Sequence, residues 1–221
     1  MSTTLATLIA QLDNSRSVML VEQDRELGRE SSDAWTNAGT GHAGYCELNY
    51  TPRNADNSVS VDRALSINER FETSLQLWSS LVRTGVLPKA ERFIRKMPHL
   101  SWVQGPDASR FLATRQKALT RHALFDGMDY SQDPATLNDW MPLIAGQGKN
   151  RGEAMAATRV NHGSDVNFGA LCRSLGEQLQ ECDQFRVQLS TRVTDLKRLG
   201  NRWLVTLDNL VTGERSEVDA G

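Results

Sequence analysis

TTLATLIAQLDNSRSVMLVE, residues 3 to 22, carries the reading of the fold. Leu5, Leu8, Ile9 and Leu12 recur at helical spacing and predict a short helix over residues 3–12, with these four on one face. Asp13, Asn14 and Ser15 end it. Val18 to Val21 is an unbroken apolar run closing on Glu22, the pattern of a buried parallel strand. Helix, turn and strand, then an acid, is the order of the second half of a dinucleotide-binding unit. In such a unit a Gly-rich turn before the helix brings backbone N–H groups and the helix dipole to a pyrophosphate. The acid at the next strand end takes ribose hydroxyls. Glu22 stands where that acid belongs, yet no G-x-G-x-x-G precedes the helix. By spacing alone, Glu22 also reads as an ordinary charged strand end.

Downstream lies SSDAWTNAGTGHAGYCELNYT, residues 31 to 51, small and polar around one histidine. No G-K-[ST] follows it, so it is not a nucleotide-hydrolysing loop. Val61, Leu65, Asn68, Phe71, Leu75, Trp78 and Val82 then mark a long helix, capped by Ser60 and stopped at Gly85. Strands are expected over 93–95 and 99–104, and a helix from Pro106 to Leu119. A short helix over 133–140 is closed by Pro142. Residues 146–153 read as a polar loop and 156–160 as a strand. Phe168, Leu171, Cys172, Leu175, Leu179 and Cys182 form an amphipathic helix, started by Asn167 or capped by Asp165. Strands over 185–189, 193–199, 203–207 and 216–218 follow, with a hairpin turn at Gly200-Asn201.

Composition sets the outer bounds. Of 221 residues, 39% are apolar and 24% charged, which supports a packed core rather than disorder. No basic block marks nucleic acid as a partner. No apolar run reaches the length of a membrane span, so any membrane contact is expected to be peripheral. Cys46, Cys172 and Cys182 show no C-x-x-C spacing and read as free thiols.

The order VEQ, ESS, W-x-NAGTGHA and CELNYTP closely resembles the malate:quinone oxidoreductases. The likeness continues through SINERF, PHLSWVQG, FLATRQKAL, LFDGMDYSQDPATLNDWMPLI, AATRV, GSDVNFGAL and QLSTRVTDLKR, and so covers essentially the whole chain. The resemblance implies an α/β (α+β mixed) chain with an FAD/NAD(P)-binding Rossmann-like domain. That domain is incomplete and carries an inserted substrate-binding α+β region. Family members resemble G-G-G-I-M-S-x-T-L at the first turn, where Met1-Ser2 would take the last two positions. The chain is therefore expected to be an internal fragment that binds FAD weakly or not at all. Residues 1–87 would form the first FAD-binding part, 88–160 the substrate-domain part and 161–221 the FAD-binding part continued.

The implied chemistry is FAD-dependent oxidation of (S)-malate to oxaloacetate, with electrons passed to membrane quinone, as in the tricarboxylic acid cycle. The implied location is cytoplasmic and peripheral to the cytoplasmic membrane. Two other readings compete. One is a related flavoenzyme for another 2-hydroxy acid such as 2-hydroxyglutarate. The other is a non-catalytic remnant holding no flavin.

By the same resemblance, Glu22 takes the adenosine ribose of FAD. Ser31, Ser32, Asn37, Ala38, Gly39, Thr40 and Gly41 line flavin and pyrophosphate, or simply form a capped turn. His42 lies near the flavin, or is the general base on the malate hydroxyl, or fixes its loop. His99 faces the substrate or is a satisfied core histidine. His122 reads as surface, and His162 is discounted. Arg159 is the first candidate for a malate carboxylate, ahead of Arg92 and Arg95. Asn167 and Gly169 resemble a helix start near the flavin, and Val193 offers backbone to adenine. Phe71, Trp78, Trp102 and Trp203 are expected in the core.

Overall fold

The computed structural model describes residues 1–13, 15–145 and 154–221. Asn14 and the loop expected over 146–153 lie outside them. In chain order the elements are α1 (Ser2–Leu12), β1 (Val18–Val21), α2 (Asp62–Arg83), β2 (Ile94–Lys96), β3 (His99–Gln104), α3 (Pro106–Leu119), β4 (Met128–Ser131), α4 (Pro134–Trp140), α5 (Pro142–Ala145), β5 (Met155–Val160), β6 (Ser164–Val166), α6 (Phe168–Gln180), β7 (Phe185–Gln188), β8 (Thr191–Leu199), β9 (Arg202–Asn209) and β10 (Arg215–Ala220). They divide into two compact units. The first holds Met1–Gly39, Ser80–Phe93 and Asn167–Gly221; the second holds Thr40–Ser79 and Ile94–Val166.

In the first unit β1 runs parallel to β7, Val18 opposite Phe185 and Val21 opposite Gln188. Ala6 of α1, Leu179 of α6 and Phe185 of β7 form its buried cluster, with Ile9, Val18 and Leu20 packed against it. The apolar stripe of α1 is not its buried face. Leu5 and Leu12 are 61% and 84% exposed, while Thr3, Ala6 and Thr7 are buried. These short side chains suit a helix lying close to α6. Thr3 Oγ1 reaches Cys172 Sγ at 3.5 Å, and Thr7 Oγ1 donates to the Thr3 carbonyl at 2.9 Å, so neither hydroxyl is left dry and unpaired. The β1 residues are half-buried rather than buried, because β7 flanks the strand on one edge only among the described residues. β8, β9 and β10 form an antiparallel meander turned at Gly200, φ 66°. Trp203 there is 44% exposed, not core.

In the second unit β3, β5 and β4 make an antiparallel sheet with β5 central, and β2 pairs with β6. Strand pairing sets Leu100 opposite Arg159 and Trp102 opposite Ala157, on the same sheet face. His99 and Ser101 occupy the opposite face, since successive side chains alternate. Trp102 is 40% exposed, which corrects its core assignment. Phe71 and Trp78 of α2 are buried and meet edge to face at 6.2 Å. Ser60 does not cap α2: its hydroxyl donates to Asn54 Oδ1. Asp133 caps α4 through the Thr136 N–H. Pro142 opens α5 as well as following α4, because its fixed φ suits a first helical turn. Asp165 lies in β6, and within the first unit Asn167 caps α6 by accepting from the Ala170 N–H.

Candidate cofactor cleft and active-site loop

The first unit contains a cleft of about 200 Å³, built at the N-terminus of α1 and the C-terminal end of β1. Glu22, Ser31 and Ser32 line it together with Ser2, Gly28 and Arg29. Sequence separation had left these as two groups; the fold brings them to one place. Both backbone edges of Glu22 are fixed: its N–H donates to Gln188 O at 2.8 Å and its carbonyl accepts from Thr191 N–H at 2.9 Å. Its Oε1 accepts the Asp24 N–H at 2.9 Å. The ladder therefore holds the carboxylate at the strand end.

The other wall is an N-terminal helix turn with no side-chain cap and no acid. Unused first-turn N–H groups and the helix dipole favour an anion there. Arg29, also in the wall, adds a cation. Gly28 has φ +76°, and a Cβ on it would lie 3.1 Å from Cys172 Cβ. Glycine thus allows the chain to turn against α6 at this point.

A carboxylate, two hydroxyls and a helix N-terminus are the donor set that a nucleoside diphosphate requires: acceptors for ribose and donors for phosphate. The residues fit the adenosine and pyrophosphate portion of FAD.

Asn37 closes the loop that presents the two serines. Its Nδ2 donates to Ser31 O at 2.8 Å, and its Oδ1 accepts from Gly39 N–H at 2.8 Å. Ala38 is exposed and Gly39 buried beside it. Val193 sits on β8, 43% exposed and paired with Leu207, just before a register shift. It is not among the residues lining the cleft.

In the second unit, Thr40 bridges to Asp165 of β6, and Gly41 N–H donates to Ser164 O at 2.8 Å. A Cβ on Gly41 would fall 2.7 Å from Phe71 Cζ and 2.9 Å from Ser164 O, so the loop passes where only glycine fits. His42 follows with its side chain 58% exposed, and its Nδ1 lies 3.8 Å from Glu47 Oε1. His99 is 8% exposed. Its Nε2 is 3.0 Å from Ser164 O, the same carbonyl that Gly41 uses. Since a carbonyl only accepts, the Nε2 carries the proton. Tyr45 stands edge-on to His99, His162 and Phe125 at 5.3–5.9 Å, an aromatic packing arrangement.

Arg159 of β5 donates from Nε to Asn161 Oδ1 at 2.8 Å and lies over the Trp140 ring at 5.8 Å. Its Nη1 is 4.0 Å from Asp139, a loose contact with an 82% exposed carboxylate. The guanidinium is thus fixed at its root, with its outer fork held only weakly. Arg95 lies exposed in β2, and Arg92 in a 3₁₀ turn of the first unit.

Sequence reasoning missed Arg29, Glu47 and Arg115. Arg115 is fully buried on α3 and donates to Thr51 Oγ1 and to the carbonyls of Gly44 and Tyr45. A signal for it exists: Ser109, Leu112, Arg115 and Leu119 share the buried stripe of α3, so the arginine interrupts the apolar period. Burial pushes its guanidinium down to about 10, opposed by the charges of Cys46 and Glu47. Burial, then the Glu47 charge, pushes the Cys46 thiol up to about 12. All three cysteines are free. Among the described residues there is no cluster suited to a metal ion, and no helix long and apolar enough to cross a membrane.

Comparison with known proteins adds the following. The family model of Malate:quinone oxidoreductase (Mqo) matches residues 1–221. A protein of Hahella chejuensis named "Probable malate:quinone oxidoreductase" is 47% identical over 222 residues, covering all of this chain and 44% of its own length. One of the same name in Methylobacillus flagellatus is 49% identical over 221 residues, with the same coverage. The chain thus spans less than half the length of these curated relatives. Among solved structures, L-proline dehydrogenase from P. horikoshii superposes with a TM-score of 0.59 at 13% identity, over 93% of this chain and 46% of that one. FAD-bound L-alpha-glycerophosphate oxidase from Mycoplasma pneumoniae gives 0.53 at 14%, over 96% and 47%. These likenesses show the fold alone, a mixed α/β chain of the FAD-binding Rossmann-like kind.

Proposed function

The chain belongs to the malate:quinone oxidoreductase family, and from that premise we propose that it is part of an FAD-dependent oxidoreductase. That enzyme takes (S)-malate to oxaloacetate and passes electrons to a membrane quinone. The observation that carries the reading is the shared cleft of Glu22, Ser31, Ser32 and the uncapped start of α1. Glu22 would accept from the ribose hydroxyls, and Ser2, Ser31, Ser32 and Arg29 would meet the pyrophosphate. When bound, the flavin supplies a two-electron acceptor for the hydride on malate C2.

The remaining work falls to this chain's own side chains. His42, exposed on the NAGTGHA loop, is proposed to take the proton of the C2 hydroxyl at Nε2. Arg159 is proposed to hold one malate carboxylate through its outer fork. Asn37, Ala38, Gly39, Thr40 and Gly41 are proposed as flavin-lining residues, and Val193 as offering backbone to the adenine. His99, buried on Ser164 O, is assigned to holding that loop's neighbour rather than to proton transfer. Residues 1–87 and 161–221 would serve the cofactor and 88–160 the substrate. The whole enzyme would act in the tricarboxylic acid cycle, peripheral to the cytoplasmic face of the cytoplasmic membrane.

Titration of the purified chain with ADP and with FAD, followed by isothermal calorimetry, tests the cofactor part. Saturable binding of both to one site is expected. FAD binding is expected to be the weak one, and failure of ADP to bind would remove the cleft from the account. A panel of 2-hydroxy acids, read by isothermal calorimetry, tests the substrate part. Malate should bind more tightly than 2-hydroxyglutarate, and the reverse order would favour the other flavoenzyme.

A further inference from the structure

Glu47 has no role in the reading above, yet its surroundings are costly. Its Oε1 lies 3.8 Å from His42 Nδ1. Its Oε2 is buried, with no hydrogen-bond partner among the described residues. Burying a carboxylate oxygen without a hydrogen bond is unfavourable unless an opposite charge or a function offsets it. Arg115 supplies the opposite charge. It is 0% exposed, and its Nη1 is likewise buried without a partner among the described residues. The two groups act on each other electrostatically. The Arg115 Nε and Nη2 hold Thr51, Gly44 and Tyr45, the chain segment that carries Glu47. A buried cation therefore anchors this loop around a carboxylate, and that carboxylate turns its other oxygen to an exposed imidazole.

We infer that Glu47 is the positioning residue of His42, holding the imidazole proton on Nδ1 so that the Nε2 lone pair faces outward as the base. The inference rests on the reading of His42 as the base in malate oxidation. A free neutral imidazole prefers its proton on Nε2, which would leave no lone pair on the outer nitrogen. A carboxylate facing Nδ1 from 3.8 Å favours the Nδ1–H form through its charge, without a hydrogen bond. Nε2 would take the hydroxyl proton, and the Glu47 charge would stabilise the imidazolium formed; a bound flavin would supply the two-electron acceptor for the C2 hydride. Atoms and electrons balance with the flavin as the oxidant. Arg115 offsets the cost of keeping that charge half-buried before the proton arrives.

The test is the tautomer of His42 in the whole 221-residue chain. It is read by long-range proton–nitrogen NMR at a pH where histidine is neutral, with no flavin or malate present. The expected result is a majority of the Nδ1–H form in the wild type, reversal to Nε2–H in Glu47→Val, and retention in Glu47→Asp. A wild-type majority of Nε2–H overturns the inference without any variant, so a Glu47→Val chain that fails to fold does not protect it. A folded Glu47→Val with an unchanged tautomer overturns it equally. Because no flavin is present, the tautomer is read independently of cofactor binding: a chain that binds no ADP but shows the Nδ1–H form would count against the cofactor cleft and leave the Glu47–His42 positioning standing.

Discussion

The Asn37 side-chain amide donates to the Ser31 carbonyl at 2.8 Å while its oxygen accepts from the Gly39 N–H at 2.8 Å. Both polar ends are therefore spent inside the loop, and Asn37 shapes the serine wall of the cleft. Replacing it by Ala should cost about 1 kcal/mol of local stability. The measurement is limited proteolysis within residues 31–39, which should speed up, together with several-fold weaker ADP binding. Unchanged proteolysis and affinity would show that the loop is held by other contacts.

Gly41→Ala tests the passage of the loop beside α2. Its methyl would sit 2.7 Å from Phe71 Cζ and 2.9 Å from the Ser164 carbonyl. The backbone carbonyl cannot rotate away as a side chain would. Overpacking of this kind costs about 1–3 kcal/mol. Urea unfolding should show a lower midpoint with an unchanged slope. A midpoint equal to wild type would contradict the close approach.

Cys46 gives a pH prediction. Burial raises its thiol from the ordinary 9.0 to about 12. A group whose folded value is raised stabilises fully below its unfolded value, and that contribution is lost as pH rises toward the folded one. Stability should therefore fall between pH 9 and 12, and Cys46→Ala should flatten that part of the profile. A profile with the same alkaline slope in both proteins would remove Cys46 as its cause.

Arg159 is fixed at Nε by Asn161 and held loosely by Asp139 at 4.0 Å. Arg159→Gln should weaken malate binding about ten- to hundredfold, the loss of a charge-assisted bond of about 1.5–3 kcal/mol. Asp139→Asn should tighten it by removing the competing carboxylate. Isothermal calorimetry with malate reads both. Equal affinity in Arg159→Gln would place the carboxylate site elsewhere.

How far the sequence led is best seen in single elements. β3 and α3 take the bounds expected from their patterns, because an apolar period and a first-turn proline are local signals. The helix α1 was equally legible, but its buried side was not. Which face turns inward depends on α6, more than 150 residues away, where Cys172 receives Thr3. Glu22 was visible as an acid after an apolar run. That it shares a cleft with Ser31 and Ser32 depends on the parallel pairing of β1 with β7, which no local pattern encodes. Glu47 carried no signal at all, since an isolated acid in a loop reads as solvated until Arg115 is seen to be buried near it.

The account stands on Glu22 and the start of α1 forming one nucleotide cleft, and calorimetry of Glu22→Gln against the wild-type chain with ADP tests this most directly. The predicted result is weak, saturable wild-type binding that FAD competes away, and an affinity lowered about tenfold in Glu22→Gln by loss of charge-assisted bonds to the ribose. Identical binding in the two folded chains, or none in the wild type, would contradict it.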